Sequence, residues 1–131
     1  MEVLFLSLNK ITEIKGLDGL TNLSAVNLDG NQITEIKGLE SLQNLMQIDL
    51  STNQMTKVPD ANAFKNFENL STIFFWNNGM SLDNIKRFKQ MLDLLKIELD
   101  YELNIPPPLK TLNKLRMSEV RKKLSQRKND L

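Results

Sequence analysis

The stretch NLSAVNLDGNQITEIKGLES occupies residues 22–41, and NLMQIDLSTNQMTKVPDANA, which begins at residue 44, nearly repeats it. Asparagine, leucine and isoleucine keep their places in both copies, while the residues between them change. The same spacing continues in both directions and is marked by four asparagines at intervals of 22, 22 and 25 residues: Asn9, Asn31, Asn53 and Asn78. A period of this length indicates a repeat architecture in which each unit stacks on its neighbour.

Aliphatic or aromatic residues stand three and five positions before each anchor asparagine. This alternation predicts a short strand that points two side chains inward. Apolar residues then recur every three positions, which predicts a 3₁₀ or irregular helical return: Ile33, Ile36, Leu39, Leu42 and Leu45. We expect each anchor asparagine to lie inside the turn and to bond backbone groups of neighbouring coils.

The pattern L-x-x-L-x-L-x-x-N-x-I over residues 3–80 resembles the leucine-rich-repeat family. The length and the residues of its units look most like the SDS22-like and internalin-like repeats. The resemblance implies an α/β fold, a right-handed curved solenoid with a short parallel sheet on its concave side. It also implies protein–protein recognition without catalysis. The fourth unit departs from the pattern, because three extra residues around PDANAFKNF lengthen its turn and aromatics replace leucine in its strand.

The chain divides into four predicted segments. About four repeats cover residues 1–80, a cap covers 81–104, a proline linker covers 105–108, and a basic amphipathic helix or tail covers 109–131. Within the cap, Ser81 is a candidate helix N-cap, followed by apolar residues at helical spacing. KIELDYEL then alternates strictly, and both a strand and a continued helix are open there.

Side chains that alternate with the buried strand residues are expected to line the concave face and to bind a partner. The candidates are Phe5, Ser7, Asn27, Asp29, Gln47, Asp49, Ser51, Phe74 and Trp76. Two alternatives are open for the aromatic pair: Phe74 and Trp76 either anchor a partner or are buried by the cap. Two are also open for Asp29 and Asp49, which either keep the sheet soluble or receive basic side chains of a ligand.

The tail differs from the body in charge. Residues 1–108 carry nine basic and fourteen acidic side chains, a balance of −5, whereas residues 109–131 carry eight basic and two acidic ones, a balance of +6. The basic candidates are Arg116, Arg121, Lys122, Lys123, Arg127 and Lys128. Either the tail packs its leucines on the domain, or it reaches an acidic protein groove, an anionic membrane or nucleic acid.

At the other end, the first strand begins at residue 3 with no preceding capping segment. We expect its open edge to be covered by a missing upstream cap, by a partner or by a second copy in a homo-oligomer.

The composition limits the chemistry that the chain can perform. It holds no cysteine and no histidine, which excludes thiol nucleophiles, imidazole bases and Cys/His zinc sites. The five glycines stand singly, so no phosphate-binding loop is present, and no cofactor, metal or small-molecule substrate is predicted. A cytoplasmic location is expected from the lack of cysteine and of a signal sequence.

Three functions are open on this basis. The first is a non-enzymatic adaptor or regulatory subunit that binds another protein on the concave face. The second is an assembly subunit, docked through the basic tail and the N-terminal edge. The third is a secreted microbial effector.

Overall fold

The computed structural model describes residues 2–101; residue 1 and residues 102–131 lie outside the described part. Five short strands alternate with longer return segments: β1 (Glu2–Phe5), β2 (Leu23–Asn27), β3 (Gln47–Asp49), β4 (Thr72–Phe74) and β5 (Glu98–Asp100). Within residues 2–101 the helical segments are one 3₁₀ helix (Ala61–Phe64) and one α-helix, α1 (Leu82–Leu94).

The strands form one parallel sheet in the order β1-β2-β3-β4-β5. One line of register partners crosses the whole sheet through Leu4, Val26, Ile48, Ile73 and Leu99. Its steps are 22, 22, 25 and 26 residues long, so the last unit, which contains α1 and ends in β5, is one residue longer than the unit before it. Of the two alternatives open for KIELDYEL, the structure has the strand, at Glu98–Asp100.

The inward strand side chains and the apolar return residues form one continuous core. Ile48 and Ile73 are fully buried, as are Ile33, Leu42 and Leu45 of the second return. Leu4 and Leu6 of the first unit are only half-buried, because β1 is an edge strand with a neighbour on one side among the described residues. The predicted two-residue inward pattern is therefore confirmed, with the weakest burial at the first unit.

Aromatic residues join the lengthened third return to the helix. Phe88 of α1 packs edge-on against Phe75 with ring centroids 5.2 Å apart, and it lies 6.1 Å from Phe64 of the 3₁₀ helix. The larger rings fill the wider space between the sheet and α1 that leucine would leave partly empty. This contact explains why the fourth unit departs from the leucine pattern.

The start of α1 agrees with the sequence prediction. The Ser81 hydroxyl accepts a hydrogen bond from the Asn84 amide at 3.2 Å, which satisfies one of the unpaired amides of the first turn. The helix buries Ile85, Phe88 and Leu92, whereas Leu82, which belongs to the predicted apolar stripe, is half exposed.

The anchor asparagines hold neighbouring coils together. The side-chain amide of Asn53 donates to the carbonyl oxygens of Leu50 in its own unit and Leu28 in the preceding unit, each at 3.0 Å, and its Oδ1 accepts the Ile33 amide at 3.0 Å. Asn31 and Asn78 make equivalent bonds across the units. The predicted role is confirmed for these three residues, whereas Asn9 is exposed and its side-chain bonds among the described residues stay within its own unit.

Of the predicted 3₁₀ or irregular helical return, the second return shows the irregular form and no 3₁₀ helix. Residues 30–46 form turns and bends, with isolated i+3 bonds from the Leu42 amide to Leu39 O and from the Leu45 amide to Leu42 O. A continuous 3₁₀ helix is prevented because other amides bond the preceding coil, as the Gln32 amide does with Ile11 O at 2.8 Å.

The sheet and the few helices fit the expected α/β fold. The curvature of the stack and the capping role of residues 81–104 stay predictions. The proline linker and the basic segment at 109–131 lie outside the described residues.

Candidate functional site

One face of the sheet presents two rows of side chains that cross all five strands. We call it the open sheet face. Register pairs the first row as Val3, Ala25, Gln47, Thr72 and Glu98, and the second as Phe5, Asn27, Asp49, Phe74 and Asp100. Strand side chains alternate between the two faces, so these ten point away from the core.

A shallow groove of about 170 Å³ lies on this face. Its lining consists of Val3, Phe5, Ala25, Val26, Asn27, Gln47, Asp49 and Phe74. Phe5 is 72% exposed at one side, and Phe74 is half-buried at the other. Five of the nine predicted partner-binding residues therefore meet in one groove: Phe5, Asn27, Gln47, Asp49 and Phe74.

Two polar side chains of the groove are held by their own backbone. Asn27 Oδ1 accepts the Asp29 amide at 3.0 Å, and Asp49 Oδ1 accepts the Ser51 amide at 3.0 Å. Both bonds close the same two-residue turn at the end of a strand. The turn fixes the orientation of each side chain and leaves less conformational entropy to lose when a ligand binds.

Trp76 is not accessible at the surface, which corrects one of the two predictions for this residue. Its side chain is 2% exposed, and the indole N–H donates to Asp100 Oδ1 at 2.9 Å. Ser51 is likewise buried, because its hydroxyl accepts the Trp76 backbone amide at 2.9 Å. Both residues are buried, and for Trp76 burial against the cap segment is the alternative that the sequence left open.

Asp29 is also buried, at 7% exposure, so its predicted placement at an accessible surface is corrected as well. It follows the end of β2, two residues before the anchor Asn31, and is not among the residues that line the groove. Ser7 is half-buried at the matching place after β1 and lies outside the groove lining.

Asp100 is not among the candidate residues predicted from the sequence. Asp100 is a partner of Phe74 in the register and lies in the same row as Asp49. The strict alternation of KIELDYEL was the available signal, because it places Asp100 opposite the buried Leu99. The sequence does not show that this strand joins the same sheet as β1 to β4.

A second and larger depression, about 550 Å³, lies over the return segments. It is lined by residues 34–36, 54–60 and Ala63. Its charged groups are at the surface, as in the exposed pair of Lys37 and Glu35 at 3.4 Å beside it. No sequence motif points to this depression.

Within residues 2–101 no group of three or more acidic side chains is placed to hold a metal ion. The same part of the chain contains no helix long and apolar enough to cross a membrane. The six basic candidates of the tail, from Arg116 to Lys128, lie outside it.

A family model described as leucine-rich repeats in two copies matches residues 1–41. Residues 1–41 are therefore similar to leucine-rich repeats. Beyond the matched residues, Asn53 and Asn78 make inter-unit bonds like those of Asn31. No curated protein matches the chain. Leucine-rich-repeat domains generally mediate protein–protein interaction and are typically non-catalytic.

Proposed function

We propose that this protein is a non-catalytic interaction module, an adaptor or a regulatory subunit, that binds a segment of another protein on its open sheet face. The observation that carries the proposal is the groove that brings Phe5, Asn27, Gln47, Asp49 and Phe74 together. An exposed aromatic ring beside preoriented polar groups is the composition of a recognition surface.

The two sides of the groove supply different interactions. Phe5 and Val3 expose apolar surface at the β1 side, whose burial by a partner is worth about 25 cal/mol per Å² before the costs of association. Asn27 and Asp49 lie between the two aromatic residues and fix which polar groups a partner must present. A partner segment with an apolar side chain and a basic or amide group a few residues apart suits this arrangement.

The test compares partner capture by three forms of the full chain. The first is the unaltered chain, the second carries Phe5→Ser with Gln47→Ala on the open sheet face, and the third carries Leu94→Ser. Leu94 is 86% exposed on α1 and lies outside the groove lining, so it controls for the loss of an exposed apolar residue. Thermal unfolding confirms that each form is folded, and a captured protein is then titrated to measure its Kd.

We expect a loss of roughly tenfold or more in affinity for the groove variant, as truncation of a hot-spot residue causes, and little change for Leu94→Ser. Equal binding by all three forms would refute the open sheet face as the binding site. Loss with Leu94→Ser alone would place the contact on α1.

A second candidate is an assembly subunit, favoured by the edge of the sheet at β1. Phe5 and Leu8 are strongly exposed there, and β1 pairs with β2 alone among the described strands. This function would place a partner or a second copy along β1, with the basic tail as a further contact. Light scattering of the full chain tests the homo-oligomer: a monomer at all concentrations argues against a second copy on this edge.

The finer proposals are supported by the sequence alone. They are an SDS22-like or internalin-like repeat type, a cytoplasmic location, and a secreted effector as the remaining alternative. Proteinase accessibility in fractionated cells would separate the two locations.

A further inference from the structure

The second row of the open sheet face places an aromatic ring between two carboxylates. Phe74 is the register partner of Asp49 on β3 and of Asp100 on β5. Neighbouring strands lie about 4.8 Å apart, so the three side chains project side by side from one face. The three residues form what we call the Asp49–Phe74–Asp100 row.

Hydrogen bonds orient both carboxylates of this row. Asp49 Oδ1 accepts the Ser51 amide at 3.0 Å, and Asp100 Oδ1 accepts the indole N–H of the buried Trp76 at 2.9 Å. Trp76 and Ser51 are joined by a bond at 2.9 Å, so the two anchors form one rigid support. The buried Trp76 thus orients the Asp100 carboxylate of this face.

The chemistry of the row suits a guanidinium group. A planar guanidinium can stack on an aromatic ring while its N–H groups donate hydrogen bonds in the plane of the group. An ammonium group is a compact point charge and donates its hydrogen bonds with less directional specificity. Charge-assisted bonds to carboxylates on either side strengthen the contact. The apolar β1 side of the groove, formed by Val3 and Phe5, suits the aliphatic side chains of an amphipathic segment.

We propose that residues 109–131 of the same chain bind the open sheet face, with arginine at the Asp49–Phe74–Asp100 row and leucines towards Phe5. The charges are complementary, because residues 1–108 carry −5 and residues 109–131 carry +6. The segment also combines arginines with leucines at helical spacing, namely Leu109, Leu112, Leu115, Arg116, Arg121 and Arg127.

The chain is long enough for this contact to form within one molecule. Tyr101 directly follows β5, and Asp49 lies two strands away, about 10 Å across the sheet. Residues 102–108 alone can span up to about 25 Å when extended, and 109–131 add further length. No second molecule is needed to bring the arginines to the row.

The inference concerns the occupant of the face in the isolated protein, and so goes beyond the proposed function. A partner that binds the same face would have to displace residues 109–131. Nitroxide broadening tests whether residues 109–131 occupy the open sheet face, and partner titration tests whether another protein binds there. Either proposal can therefore fail without the other.

The experiment uses the full chain, which contains no cysteine and accepts a single nitroxide label at Ser125→Cys. Paramagnetic broadening of backbone amides then reports which residues lie near the label. We expect the amides of Asn27, Asp49 and Phe74 to lose at least about half of their intensity at low salt, and to recover with added salt as charges are screened. The amide of Glu35, on the return segments, is expected to keep its intensity.

Matched variants test the chemistry on both sides of the contact. Asp49→Asn keeps the Oδ1 acceptor for Ser51 and removes the charge. Asp60→Asn makes the same change at a similar turn, where Oδ1 accepts the Asn62 amide at 2.8 Å on a return segment. We expect broadening to weaken about twofold or more with Asp49→Asn and to stay with Asp60→Asn, given the short range of screened charges.

On the tail, exchanging Arg116, Arg121 and Arg127 for glutamine is compared with the same exchange of Lys122, Lys123 and Lys128. The charge change is equal, and a larger loss with the arginine set supports stacking on Phe74. Equal losses would overturn the guanidinium assignment. Absence of broadening on the open sheet face would overturn the proposal. Broadening that is seen only when nitroxide-labelled molecules are mixed with separate isotope-enriched molecules would also overturn it, because the occupant is then a second copy.

Discussion

The first and third repeat units carry an anchor asparagine and inward aliphatic residues in the same places, but their surroundings differ. Asn53 bonds both its own unit and the preceding one and is buried. Asn9, the matching residue, is exposed, and its side-chain bonds within the described residues go to Leu6 O and Ser7 O of its own unit. Ile48 is fully buried, whereas its counterpart Leu4 is half-buried.

This difference shows that the stabilising effect of a repeated residue depends on its neighbours. A stack of units is stabilised largely by the interfaces between them, and the first unit has one such interface among the described residues where the third has two. The same substitution made in two units therefore measures the interface, because the local conformation is shared.

The largest expected difference in the free energy of unfolding, between matched substitutions in two units, is at the anchor asparagines. Asn53→Ala leaves the buried Leu28 and Leu50 carbonyls and the Ile33 amide without this partner, and we expect a loss on the order of 3–5 kcal/mol in the free energy of unfolding. Asn9→Ala should cost under about 1 kcal/mol, because water replaces its exposed bonds. Urea unfolding of both variants measures the difference, and equal losses would contradict the role of the inter-unit bonds.

A smaller difference is expected at two glycines that are 22 residues apart and share a positive φ, +80° at Gly16 and +88° at Gly38. A Cβ at Gly38 would collide with the carbonyl oxygen of Ile14 in the preceding unit, whereas a Cβ at Gly16 meets no described atom within 4 Å. Gly16→Ala should cost about 1–2 kcal/mol from backbone strain alone.

Gly38→Ala should cost at least about 1–2 kcal/mol more, since backbone must move to relieve the collision. Thermal and urea unfolding of the pair give the difference. A Gly38→Ala variant no less stable than Gly16→Ala would show that the units separate easily at this point.

The smallest expected difference lies at the last strand. Asp100→Ala leaves the buried indole N–H of Trp76 without its acceptor and should cost about 1–2 kcal/mol. Glu98→Ala, two residues earlier on the same face and exposed, should change stability by less than about 0.5 kcal/mol. Unfolding monitored by tryptophan fluorescence reports on the single tryptophan directly. Similar stabilities would mean that β5 contributes little support to the open sheet face.

Much of the architecture was predictable because it repeats. The spacing of the asparagines and aliphatic residues determines the parallel strands, their inward side chains and the asparagine bonds between units. Ser81 and the apolar residues after it likewise determine where α1 begins, since capping and helical spacing are local properties of the chain.

The candidate site was predictable only in part. Alternation placed Phe5, Asn27, Gln47, Asp49 and Phe74 on one face, where the structure finds them lining one groove. It could not show that Ser51 and Asp29 are buried just beyond the strands, because the period of two ends where the strand ends.

The sequence by itself determined the repeat, the class of fold and the side of the sheet on which each strand residue lies. Tertiary structure alone decided that β5 joins the sheet, that Asp100 accepts the indole N–H of Trp76, and that Phe74 lies between two carboxylates. The spacing of apolar and polar residues along the chain specifies the local conformation and the side of the sheet on which each side chain lies. Contacts between units 24 or more residues apart also depend on which surfaces pack together, and no local pattern contains that information.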